Sequence, residues 1–340
     1  MRRTSTAIFA LILMFAFTAA DAKTRIKIAT LVPPNSGWAS KMEAAKAEIK
    51  ERTEGRVDLN FRYGGTMGDA GQVKQMMRIG QLHGGDFTPT DFQDQLPDLN
   101  VYGLPFAFES LEEVNYVRER MDEALQASIE EAGYVTFGFA GDFAIVLSNI
   151  PVRGLDDLRS RKIWLPEGDA ISDRAMKELQ LVPNSKPISD VLTGLKTGLF
   201  DVVTMPASVA VALQLHTAVK YYTDVPVIYA MNFLAIQEKT FNKLSAEDQA
   251  VTREVLTRAY AEINAQAPID AENAKDALQK NGIESVEADA AAFTELRASM
   301  ADNNRKMAES GMYSVEVFEQ MQGLIDEYRA ANAQASAETQ

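Results

Sequence analysis

The chain has 340 residues, 46% of them hydrophobic and 24% charged, which suits a soluble protein long enough for two domains with cores of their own. Its formal charge of −14 argues against nucleic acid or an anionic membrane surface as a partner, since both would repel it. With no cysteine it has no disulfide, thiol nucleophile, thiolate metal site or lipoprotein attachment point, so its stability must come from the core.

The first 22 residues, MRRTSTAIFALILMFAFTAADA, place Arg2 and Arg3 ahead of an apolar run from Ala7 to about Ala20. They end in the small-x-small triplet Ala20-Asp21-Ala22. That layout predicts a cleaved secretory signal peptide and a periplasmic protein with no stable membrane insertion. Without those residues the chain is one charge more acidic. The following stretch predicts a strand at 25–32, a helix over about 38–53 and a second strand at 56–63, with Met42, Ala45 and Ile49 at helical spacing. This is a βαβ unit, hence a parallel sheet. A helix near 69–80 and a strand near 84–89 repeat the logic, and helices follow from about Ser110.

Residues 134–151 form a long apolar, strand-like run able to cross between two domains. A second α/β pattern follows: a turn helix at 154–160, the strand KIWLP and a helix at 169–179. It continues with a helix at 189–197, the strand FDVVTMP and a helix from about 206. Residues 225–237 suggest a return crossing. The long helix after Ser245 is capped through Asp248, stopped by Gly282 and expected to kink or split at Pro268. Helices at about 289–309 and 314–331 close the chain, and the polar tail 332–340 is expected to be disordered. The pattern predicts an α/β fold of two lobes, a type II-like periplasmic-binding-protein clamp with hinge strands and a long kinked C-terminal helix. One lobe takes 23–147 with 233–268, the other 148–232 with 269–331, and a ligand sits between them at the strand ends.

Catalytic motifs are missing: no G-x-S-x-G, H-E-x-x-H, P-loop or complete G-x-G-x-x-G occurs. The only histidines, His83 and His216, read as structural or solvent-facing, and no cofactor or metal is expected. Carboxylates are plentiful, but most decorate helix faces.

The stretches YGGTMGDAGQVKQMMRIGQLHGGDF, LPFAF, GLDDLRSRKIWLPEGD and VLTGLKTGLFDVVTMP, in that order, resemble the DctP-type substrate-binding proteins of tripartite ATP-independent periplasmic (TRAP) transporters. The resemblance covers about residues 25–330. It implies a receptor that closes on a small organic ligand and delivers it to the small and large membrane permease subunits of such a transporter. Members usually carry an arginine where this chain has Trp164, and that arginine pairs with the substrate carboxylate. Trp164 stands in its place, Phe143 or Ala144 falls near a second frequent arginine, and Thr204 and Met205 replace a polar pair. The resemblance therefore implies a ligand more apolar or aromatic than usual, stacking on Trp164 and Phe143. A carboxylate on it would need another anchor: Arg174, Arg153, Lys186 or the helix N-terminus near Asp169. The opposing reading makes Trp164 core packing. Strand exits add Trp38, Thr90, Asp91, Asp142, Glu167 and Asn232 as cleft candidates. Two other functions stay open: an exported lyase or hydrolase working through Asp91 and Asp142, and a carrier for a lipid-like molecule.

Overall fold

The structure, a computed structural model, describes residues 23–338; the expected signal peptide lies outside the described residues. The chain opens as β1 (Thr24–Ala29), α1 (Gly37–Arg52), β2 (Val57–Arg62), α2 (Ala70–Arg78) and β3 (Gly84–Phe87). Then come α3 (Leu111–Glu131), β4 (Tyr134–Val135), β5 (Phe139–Ser148), α4 (Leu155–Leu158), β6 (Ile163–Pro166), α5 (Ala170–Glu178) and β7 (Pro183–Lys186). The rest is α6 (Val191–Thr197), β8 (Val202–Pro206), α7 (Ala207–Ala212), β9 (Tyr221–Gln237), α8 (Glu238–Phe241), α9 (Ala246–Lys280), β10 (Glu284–Val286), α10 (Ala290–Glu309) and α11 (Val315–Glu338).

The caps explain the helix starts. Ser36 accepts the Ala39 N–H at α1, Asp69 and Gln72 form a reciprocal box at α2, and Ser245 Oγ accepts the Asp248 N–H at α9. β1 pairs parallel with both β2 and β3, as a βαβ unit requires. Strand order among the described residues is β2-β1-β3-β9-β5-β8-β6-β7, with β4 and β10 attached to β9. One end of this sheet lies between clusters around Met42, Ile49 and Leu256 on one face and Phe92, Leu99 and Val117 on the other. The other end lies between clusters around Leu195, Phe200 and Leu278, and around Val202, Phe293 and Met300. These are the two lobes, and β5 and β9 run through both.

Gly84 lies where β3 approaches β9 so closely that a Cβ would stand 2.8 Å from the Ala235 carbonyl oxygen.

Three expectations change, and two short strands are added. The 134–151 run is broken into β4 and β5 at Gly138, whose φ is 120°. α9 passes through Pro268 as one helix; Pro268 is exposed, so its ring and missing N–H fall on the solvent side. β7 and β10 were not legible, being three or four residues long and largely polar. The tail expected to be disordered from 332 continues α11 to Glu338, through an alanine-rich segment with high intrinsic helix propensity.

Candidate ligand-binding site

The β3–β9 ladder ends at Phe87 opposite Phe233, and the β5–β8 ladder ends at Ala144 opposite Pro206. Between those pairs only β5 and β9 run on, so residues 140–143 and 229–232 bridge the lobes. Cross-strand partners share a face. Register therefore puts Ala140, Asp142, Ala230 and Asn232 on the α9 side and Gly141, Phe143, Tyr229 and Met231 on the other. At Gly141 a Cβ would lie 2.7 Å from the Tyr229 ring, so only glycine lets that ring lie over β5. The Tyr229 hydroxyl meets Arg118 Nη1 at 2.9 Å, and the same nitrogen donates to Asn264 Oδ1 of α9 at 2.8 Å. Arg118 also donates to Asp122 and to the Phe139 carbonyl, so a buried guanidinium ties α3, α9 and both hinge strands together.

On the α9 side the centre is Asp86, at the end of β3. Its carboxylate accepts from Asn232 Nδ2 at 3.0 and 3.2 Å, from Tyr260 Oη at 3.1 Å and from Thr30 Oγ1 at 3.2 Å. Burial pushes it up to about 7, against those three donors and helped by nearby Asp91. Asp86 was not a sequence candidate. The only signal was a carboxylate inside an apolar strand, and its partners lie 56, 146 and 174 residues away.

Trp38, on the first turn of α1, meets Tyr260 edge to face at 6.2 Å, and its Nε1 is buried without a hydrogen-bond partner. Asp142 is 9% exposed. Its Oδ1 accepts the Phe143 N–H at 2.7 Å, while Oδ2 is buried with no partner. Burial pushes Asp142 up to about 6, with Lys275 opposing and Asp224 and Asp270 assisting.

Asp91 holds the Thr88 N–H and hydroxyl at 2.8 and 3.0 Å; Thr90 meets the Thr88 hydroxyl at 2.9 Å. Lys74 Nζ donates to the Asp91 carbonyl. Thr30, Gly65, Met67, Asp86 and Asp91 line a small open recess. Asp169 caps α5, accepting the Ser172 N–H at 2.9 Å. Burial raises both Asp91 and Asp169, and the charge of Asp169 adds to the push on Asp91.

Other sequence candidates lie apart. Trp164 is 3% exposed in the second-lobe core with Leu195, Phe200 and Val203, and its Nε1 donates to the Lys186 carbonyl at 2.9 Å. It offers no open face for stacking, and the packing reading describes its surroundings. Met205, 4% exposed, belongs to the same cluster, so it too presents no surface to a ligand. Thr204 points to the opposite side, onto an apolar recess with Phe106, Ile163 and Phe293. Phe143 is half-buried against Tyr229, with ring centroids 5.8 Å apart. Glu167, Arg153, Arg174 and Lys186 are exposed. His83 Nδ1 accepts the Lys27 N–H at 3.0 Å, a structural bond between β1 and the residue before β3.

The family described as bacterial extracellular solute-binding protein, family 7 (DctP), matches residues 28–310. The chain belongs to that family. A solute-binding protein of Roseobacter denitrificans is 25% identical to this receptor over 274 residues, covering 79% of this chain and 83% of its own. The 2,3-diketo-L-gulonate-binding periplasmic protein YiaO of Escherichia coli is 24% identical over 242 residues, 69% of this chain and 73% of its own. Among solved structures, a TRAP periplasmic solute-binding protein from Ralstonia eutropha with bound (S)-2-acetolactate superposes with a TM-score of 0.82 at 19% identity. It covers 89% of this chain and 99% of its own. DctP7 of Bordetella pertussis, a receptor binding pyroglutamic acid, gives 0.81 at 18% identity with the same coverage. These likenesses establish the two-lobed fold. Among the described residues, no helix is long and apolar enough to cross a membrane.

Proposed function

We propose that this family 7 protein is exported to the periplasm through a cleaved signal peptide, closes its two lobes on a small organic ligand and hands it to TRAP membrane subunits. The observation carrying this reading is the hinge ribbon: between the lobes only β5 and β9 run on, and Asp142 and Asn232 sit on that ribbon next to the Asp86 carboxylate that Asn232 holds. A ligand in that position touches both lobes, and only such contacts bias a hinge equilibrium. Relatives of this fold hold small acids, pyroglutamic acid and 2-acetolactate among them.

The enzymatic reading has less support. That reading works through Asp91 and Asp142, and the family to which the chain belongs is one of solute-binding proteins. A thermal-shift screen of small organic acids and amines, followed by mass spectrometry of the bound compound, tests the proposal. A receptor gives a saturable shift and returns the compound unchanged. Turnover, or no shift with any compound, contradicts it.

A further inference from the structure

We infer that the ligand carries a cationic nitrogen, held by Asp142 on the hinge ribbon, with an acceptor group that takes the Trp38 indole N–H. This rests on the receptor reading and names the chemistry its cleft selects.

Asp142 Oδ2 is enclosed at a residue only 9% exposed and meets no donor, while Oδ1 is held by the adjacent backbone. A buried acceptor with no partner costs stability unless something binds it. By register Asp142 is the diagonal neighbour of Asn232, which in turn holds Asp86, so the unpartnered oxygen ends a polar row, Thr30–Asp86–Asn232–Asp142, at the level where the lobes part.

Trp38 supplies the second unpartnered atom, of opposite polarity. Asp270 of α9 lies beside the start of α1 that carries Trp38. A Cβ on Gly37, next to Trp38, would stand 3.2 Å from its Oδ2, and its charge adds to the field at Asp142.

Lys275, the cation whose charge reaches Asp142, is bonded to other carboxylates, and two further cations have partners of their own. Lys275 holds Asp224 at 2.7 Å and Glu272 at 2.5 Å, and Lys74 holds the Asp91 carbonyl. Arg118 bonds Asp122, Tyr229, Asn264 and Phe139. Asp142 is thus a buried carboxylate with one oxygen free and no cation bonded to it. A ligand ammonium supplies that cation; a simple carboxylate adds repulsion.

The experiment uses matched pairs: L-proline with tetrahydrofuran-2-carboxylate, L-phenylalanine with 3-phenylpropanoate, γ-aminobutyrate with butanoate, plus pyrrolidine and 2-phenylethylamine alone. Thermal shift ranks them, and calorimetry measures the best. The expected result is that an ammonium compound stabilises and its deaminated partner does not. Asp142→Asn then weakens binding at least about 30-fold while its circular dichroism matches the parent. Trp38→Phe, which keeps a ring but loses the N–H, weakens binding of compounds that also carry a carboxylate more than it weakens the bare amines. If acids bind and amines do not, or if Asp142→Asn binds amines undiminished, the inference is wrong and the receptor reading stands. If neither class binds, both fall.

Discussion

Trp164 gives its indole N–H to the carbonyl oxygen of Lys186 at 2.9 Å, joining β6 to the end of β7. The bond uses the only donor on the side chain, and the ring is walled in by Leu195, Phe200 and Val203. Replacing it with alanine removes both the buried ring and the partner of a strand carbonyl. Trp164→Ala is expected to cost about 3–5 kcal/mol and Trp164→Phe about 1–2 kcal/mol in urea unfolding without ligand. A loss below about 1 kcal/mol for the alanine variant would contradict the packing role.

Arg118 is the second position where a large effect is expected. Its guanidinium is 7% exposed and serves Asp122, Tyr229, Asn264 and the Phe139 carbonyl. Arg118→Ala leaves those groups short of a donor and should destabilise by about 3–5 kcal/mol. Hydrogen exchange should speed up first in β5, beside the lost Phe139 bond. Exchange rising only within α3 would show that the arginine does not hold the hinge.

Stability should also depend on pH through Asp86 and Asp142. Both carboxyls bind a proton more tightly folded than unfolded, at about 7 and about 6 against about 3.9 for an ordinary aspartate. Their contribution is therefore complete at low pH and is lost as pH rises through those values. The melting temperature of ligand-free protein should fall between about pH 4 and pH 7, and Asp142→Asn should flatten the lower part of that fall. Below about pH 4 the trend reverses. Asp58, despite its partial burial, is held below the ordinary range by Arg25 and Lys23 and loses both pairs when protonated. A melting temperature that rises from about pH 4 to pH 7 would refute the assignment.

The same ionisation sets the pH dependence of binding. An ammonium ligand needs Asp142 charged, so affinity should strengthen as pH rises through about 6. Titrating the strongest amine from the matched pairs at pH 5 and at pH 7.5 checks this. Equal affinity at both would remove Asp142 from the site.

Much of the architecture was legible because it depends on neighbours in sequence. Met42, Ala45 and Ile49 mark the buried side of α1, and Ser36, Ser110 and Ser245 mark helix starts. What could not be read depends on residues far apart in the chain. Arg118 with Asp122 looks like an exposed i,i+4 pair; its burial follows from Tyr229 and Asn264, 111 and 146 residues away. Trp164 was singled out for its position, but its surroundings are set by β7, a strand of Pro-Asn-Ser-Lys with no apolar pattern. Of the candidates, Asp142 and Asn232 lie on the hinge ribbon and Asp91 lines a recess with Asp86, while Asp86 itself, held by Asn232, Tyr260 and Thr30, was missed.

Small-angle X-ray scattering with and without the compound giving the largest thermal shift tests the account most directly. Lobe closure predicts a smaller radius of gyration at saturation, reversed when the compound is dialysed out, with the compound recovered unchanged. A bound compound that leaves the scattering profile the same, or that is chemically altered, would contradict a receptor whose lobes close on its ligand.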